Sequence, residues 1–204
     1  MTYYSSVGDW QEKKFWSNNK EDQEKLDAAR EAILNDNAQD AKDILDNFPD
    51  KNNPEALYLL SMFSFPESET HDEYDKRRIE LIKQSAKMGY APAVFSLGVE
   101  YDTGNLIEKD PAQAAKLFKQ AAEAGHAHSQ WIYGIDLIYG TNGIIKNEQL
   151  GVEYIKESAA AKFEGALTTL SEFYDTGKYG LPVDKELARK LKQQLSDNDV
   201  IGTN

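Results

Sequence analysis

The chain has 204 residues, with 23 Lys and Arg against 35 Asp and Glu for a net charge of −12, and no cysteine. That balance disfavours attraction to nucleic acid or to an anionic membrane surface and favours a partner with a basic face, although carboxylates kept for solubility account for it equally well. The missing cysteines exclude disulfides and thiolate metal sites.

Residues 1–19 contain no apolar stretch of the length a secretory signal needs, so export by the usual route is not expected and a cytoplasmic location is. Tyr3, Tyr4, Trp10, Phe15 and Trp16 are more large aromatics than an ordinary disordered tail carries, so some of them are expected to dock. From Lys20 to Phe48 apolar residues recur at helical spacing, first Leu26, Ala29 and Ile33, then Ala38, Ala41, Ile44 and Leu45. Asn35-Asp36-Asn37 separates the two runs, which predicts a helical hairpin. Asp50 to Asn53 forms a turn, and Pro54 suits the first position of the next helix. The most apolar run, 56–65, is far short of the roughly 20 residues a membrane span requires.

Four further hairpins are expected at about 54–89, 91–125, 127–162 and 164–196, because the chain repeats itself. Ala93, Leu97, Gly98, Tyr101 and Gly104 fall on Ser129, Tyr133, Gly134, Leu137 and Gly140, then on Ala166, Leu170, Ser171, Tyr174 and Gly177. The second halves repeat in the same phase: Leu81, Ile82, Ser85 and Ala86, then Leu117, Phe118, Ala121 and Ala122, then Tyr154, Ile155, Ser158 and Ala159. A period in the thirties is the mark of a solenoid whose units bury their apolar faces only against neighbours. Asp110-Pro111 with Gln113 predicts a capped helix start, and Asn147 and Asp184 occupy the equivalent positions. Gly89 and Gly125 stand where the second helix of a unit must stop, a place that favours a left-handed residue; Lys162 breaks the pattern. The last helix, Asp184 to Leu195, has Leu187, Ala188, Leu191 and Leu195 on one face and charge elsewhere, as a solubilising cap would.

Across 54–196, about two-thirds of the chain, these residues resemble the Sel-like repeat family, relatives of the tetratricopeptide repeat. The match is clearest in Ala93, Leu97, Gly98, Tyr101, Gly104, Asp110, Ala114, Leu117, Ala121, Ala122 and Gly125. It is weakest in the first unit, where Ser64 and Glu67 replace the tyrosine and glycine. The resemblance implies an all-α, right-handed superhelix of about four Sel-like hairpins. The expected division is 1–53 for the aromatic segment and capping hairpin, 54–196 for the solenoid and 197–204 for a frayed tail. It also implies a non-enzymatic adaptor that binds a protein or peptide on its concave side. Close approach of paired helices is expected at Gly98 and Gly134.

In such arrays the first helix of each hairpin lines the concave side. Counting from the signature small residue, Tyr58, Phe95, Trp131 and Thr168 lie three before it and Met62, Val99, Ile135 and Glu172 one after. This predicts an aromatic ladder beside an aliphatic one as the partner-binding surface. The alternatives are that these side chains bury against each other, or that Trp10, Phe15 or Trp16 fills the groove. Glu100, Asp102, Asp136, Glu172 and Asp175 lie on or near the same helices and would give a negative rim, while solvated helix faces explain them more simply.

No cofactor is expected and no catalytic constellation stands out: there is no phosphate loop, nucleophile elbow or His-Glu-x-x-His pattern. His126 and His128 with Glu123 could suggest a metal, but His126 holds the repeat position of Tyr90 and Phe163, which points to packing. A specific form of the adaptor reading is an immunity protein that neutralises a basic toxin domain; an enzyme, hydrolytic in type, is the reading from another class. Oligomeric state is not legible.

Overall fold

Side-chain caps set where the helices begin. Asn19, Asn37 and Asn53 accept from backbone amides two or three residues ahead, and Thr70 with Glu73 forms a reciprocal capping box that was not among the expected helix starts. Asp110 and Asp184 accept from the amides of Gln113 and Leu187. A computed structural model describes residues 19–64 and 68–201, with side chains through Leu195. Among them every regular element is a helix: α1 Lys20–Leu34, α2 Ala38–Asp46, α3 Pro54–Leu60, α4 His71–Lys87, α5 Ala91–Thr103, α6 Pro111–Glu123, α7 Ala127–Tyr139, α8 Glu148–Ala160, α9 Glu164–Thr176 and α10 Lys185–Ile201. The helix pairs α3–α4 to α9–α10 fall on the four hairpins expected from the repeat. α10 runs past Leu195, where its apolar stripe stops. The aromatic positions from Tyr3 to Trp16, and Glu67, lie outside the described residues. No helix among those described is long and apolar enough to cross a membrane.

The chain divides into two units, one ending at Ala114 and the other beginning at Ala115. In the first, Leu26, Ala29, Ile33, Ala41, Leu45, Phe48, Ala56 and Leu59 join α1, α2 and α3 in one core. Arg30 of α1 meets the buried Glu55 of α3 at 3.1 Å. Burial raises the affinity of that carboxyl for its proton and Arg30 opposes the rise. Where the first repeat lacks its tyrosine and glycine, Arg77 serves as a brace. It donates to the carbonyls of Leu60 and Phe63 and to both carboxylate oxygens of Glu69, and its guanidinium lies 5.5 Å from the Tyr74 ring centre.

In the second unit Ile138, Val152, Ile155, Ala159, Ala166, Leu167, Leu170, Phe173 and Leu191 form the core between α7, α8, α9 and α10. A serine at the same repeat position ties α4 to α3 and α8 to α7: Ser85 Oγ donates to the Pro54 carbonyl and Ser158 Oγ to the Ala127 carbonyl, both at 2.6 Å and both buried. Their alignment in the repeat does not by itself reveal this role. Ser158→Ala removes this buried bond and is expected to cost about 1 kcal/mol in urea unfolding; an unchanged midpoint would show that the bond contributes nothing net.

The helix ends explain the exception at Lys162. Gly89 and Gly125 have φ of +84° and +90°, and the amides of Tyr90 and His126 reach back five residues to Ser85 and Ala121, which is the six-to-one bond of a Schellman end. Lys162 takes the same place with φ of +65°, and the Phe163 amide bonds the Ser158 carbonyl. A lysine therefore sits in the left-handed region where the sister units use glycine. Lys162→Gly is expected to stabilise the protein by about 1 kcal/mol, read as a rise in thermal midpoint; a fall would mean that the lysine makes a compensating contact.

Candidate protein-interaction face

The eight ladder positions do not share one environment. Tyr58 and Phe95 are only 3% and 6% exposed; Tyr58 packs against Tyr90 with ring centres 5.5 Å apart and hydrogen-bonds Ser96 at 3.1 Å. These two rings do core work in the first unit. Met62, packed on the α1–α3 core, and Val99 are half-buried, as are Trp131 and Ile135 in the second unit, while Thr168 and Glu172 are exposed.

In the second unit Trp131 and Ile135 both pack against the α7–α10 core. The Trp131 indole donates to Thr169 Oγ1 at 2.9 Å, and Thr169 in turn donates to the Gly165 carbonyl. The indole thus lies against Gly165 and Thr169, one turn apart on α9. Gly165 makes this approach feasible, since a Cβ there would stand 2.7 Å from Phe163 Cε1 and 3.3 Å from Trp131 Cε2. Phe163 and His128 complete the cluster, with ring-centre distances of 5.6 Å for Trp131–Phe163, 4.6 Å for His128–Phe163 and 5.9 Å for His128–Trp131. The ladder rule found Trp131 but missed His128, Phe163 and Gly165. The available signal was a glycine at the position where the sister helices carry Pro92 and His128.

Burial lowers the His128 imidazole to about 4, and burial with the neighbouring His128 lowers His126 to about 3. His126 has the packing role expected from its repeat position: it is 1% exposed, and its Nδ1 accepts from the Ser129 amide to cap α7. Among the described residues no grouping of His, Asp and Glu could hold a metal ion.

The expected negative rim needs correction at two places. Glu100 and Asp136 are each 4% exposed and point inward as loop clasps. Glu100 pairs with Arg78 at 2.7 Å and accepts from the Leu106 amide, while Asp136 accepts from Thr141 Oγ1 and Asn142 Nδ2. Asp175 pairs with Lys185. Asp102 and Glu172 are exposed. A different asymmetry is present instead. From α3 onward every helix-borne Lys and Arg lies in α4, α6, α8 or α10, and the first helices α3, α5, α7 and α9 carry none.

Residues 91–126, 127–163 and 166–199 match the family model for the Sel1 repeat. A curated relative, chitin synthase regulatory factor 3 of Schizosaccharomyces pombe, is 23% identical over 145 residues, which is 69% of this chain and 16% of that protein; the chain thus spans a small part of its relative's length. The crystal structure of a Sel1 repeat protein from Oxalobacter formigenes is similar with a TM-score of 0.67 and 22% identity, covering 85% of this chain and 68% of that one. Another is c5321, a protective antigen of uropathogenic Escherichia coli displaying an SLR fold, with a TM-score of 0.62 and 23% identity over 76% of this chain and 32% of that one.

Proposed function

The chain belongs to the Sel1 repeat family, whose members generally act as protein-interaction scaffolds, and from that premise we propose that it is a non-enzymatic adaptor that binds another protein or peptide on the face of its first helices. The observation that carries this reading is the composition of that face. Its helices lack cations altogether, and in the second unit they carry the half-buried Trp131 and Ile135 and the exposed Thr168 and Glu172. An aromatic anchor with a solvated acidic border suits a basic protein surface, because such charge speeds encounter and rejects acidic competitors. In the first unit Met62 and Val99 offer the comparable partial surface, whereas Tyr58 and Phe95 support it from within. The similarity to a regulatory factor is consistent with action through binding, and the −12 charge keeps a basic toxin domain among the partners that fit.

The test is co-purification from cells with wild type, a Thr168→Arg/Glu172→Arg variant and a Glu153→Arg/Gln194→Arg control. All four positions are exposed and the two variants change charge equally. A protein retained by wild type and the control but lost by the first variant is the expected result. Equal retention by all three would move the binding surface off the first helices.

A further inference from the structure

Resting on that first-helix reading, we propose that the rings of His128, Trp131 and Phe163 form the seat for an arginine side chain of the partner, with the carboxylates of Glu164 and Glu172 as its counter-ions. The three rings lie within 6 Å of one another and each is only half-buried, so the cluster presents aromatic surface outward as well as toward the core. The indole N–H is already given to Thr169. What Trp131 offers a ligand is therefore the π face and not a donor, and cations favour that face.

The charges around the seat agree. Glu164 opens α9 beside Phe163, and Glu172 lies one turn beyond the Thr169 that holds the indole. Both are exposed, and neither is in an ion pair among the described residues. Elsewhere in this unit Glu148, Asp175 and Glu186 are each matched with a lysine or arginine. No Lys or Arg on α7 or α9 competes for the two glutamates. His128 is neutral at pH 7, since burial holds its imidazole near 4, and so it adds ring surface without repulsion.

A guanidinium fits this arrangement better than an ammonium. It is planar, can stack on an indole while its edge reaches a carboxylate, and is the more weakly hydrated of the two cations.

The chain has three tryptophans, so Trp10→Phe/Trp16→Phe leaves Trp131 as the one fluorescent indole. That protein is titrated with tetra-arginine and with tetra-lysine peptides of equal length and charge. The expected result is a saturable change in Trp131 emission with at least fivefold tighter binding of the arginine peptide. Glu164→Gln/Glu172→Gln, two exposed changes that leave the fold intact by circular dichroism, is expected to weaken binding at least fivefold. Phe163→Leu is expected to abolish the preference for arginine. Equal affinity for both peptides, binding that leaves the Trp131 emission unchanged, or no binding of the arginine peptide would each overturn the seat. The first-helix reading is judged separately: a partner released by Thr168→Arg/Glu172→Arg supports it even if the peptides fail, and a partner retained by that variant moves the binding surface off the first helices even if they bind.

Discussion

Gly134→Val is expected to unfold the second unit at urea concentrations that leave wild type intact, with a loss of at least about 3 kcal/mol. A Cβ on Gly134 would lie 2.8 Å from Ile155 Cγ1 and 2.9 Å from the Gly151 carbonyl oxygen. The partner glycine is as tight from the other side, since a Cβ on Gly151 would stand 2.6 Å from the Gly134 carbonyl oxygen and 2.7 Å from Ile138 Cγ1. The obstacles are backbone and branched core side chains, which cannot swing aside. Relief requires α7 to move away from α8, and that opens a core in which Ile138 and Ile155 are fully buried. Even Gly151→Ala should cost several kcal/mol. Gly143→Ala is the control, because a Cβ there meets nothing within 4 Å and the φ of +77° is the only penalty, worth about 1 kcal/mol. Should Gly134→Val and Gly143→Ala prove equally mild, the helices cannot be packed glycine to glycine.

The second large effect is acid sensitivity. In the unfolded chain His126 and His128 protonate near 6.5, whereas in the fold burial delays them to about 3 and about 4. Between those values the unfolded state binds more protons, so stability is complete above pH 6.5 and declines as pH falls. His126 contributes a slope of about 1 kcal/mol per pH unit down to pH 3, and His128 adds to it down to pH 4. His126→Asn retains a side-chain acceptor for capping α7 and removes one titration. Urea unfolding at pH 7, 6, 5 and 4.5 is expected to give a visibly shallower decline for this variant, whatever its stability at neutral pH. Parallel declines for the two proteins would mean that His126 is charged in the fold.

The hairpin order was legible from the phase of the repeat. Glycines, alanines and capping residues at fixed offsets act through local geometry, which depends on neighbours a few residues away, so Pro54, Asp110, Gly104 and Gly140 could be read directly. Gly134 was legible as a close approach, but its partner Gly151 was not, since the pairing of positions on two helices depends on how the hairpin closes. The ladder was legible only as a list of positions on the first helices. Exposure at those positions is a property of what packs over them: Tyr58 is covered by Tyr90, and Trp131 is turned onto α9 by Thr169 and the gap at Gly165.

The amino-acid sequence by itself therefore determined the class of fold, the number and order of hairpins, several of their caps and the acidic character of the chain, because each of these is written in local spacing and composition. Tertiary structure alone decided which carboxylates face water and which clasp a loop, that Lys162 holds a left-handed turn, and that His128, Trp131 and Phe163 meet. Those outcomes depend on burial and on residues far apart in the chain, such as Trp131 and Thr169, which are 38 positions apart, for which spacing within one helix carries no information.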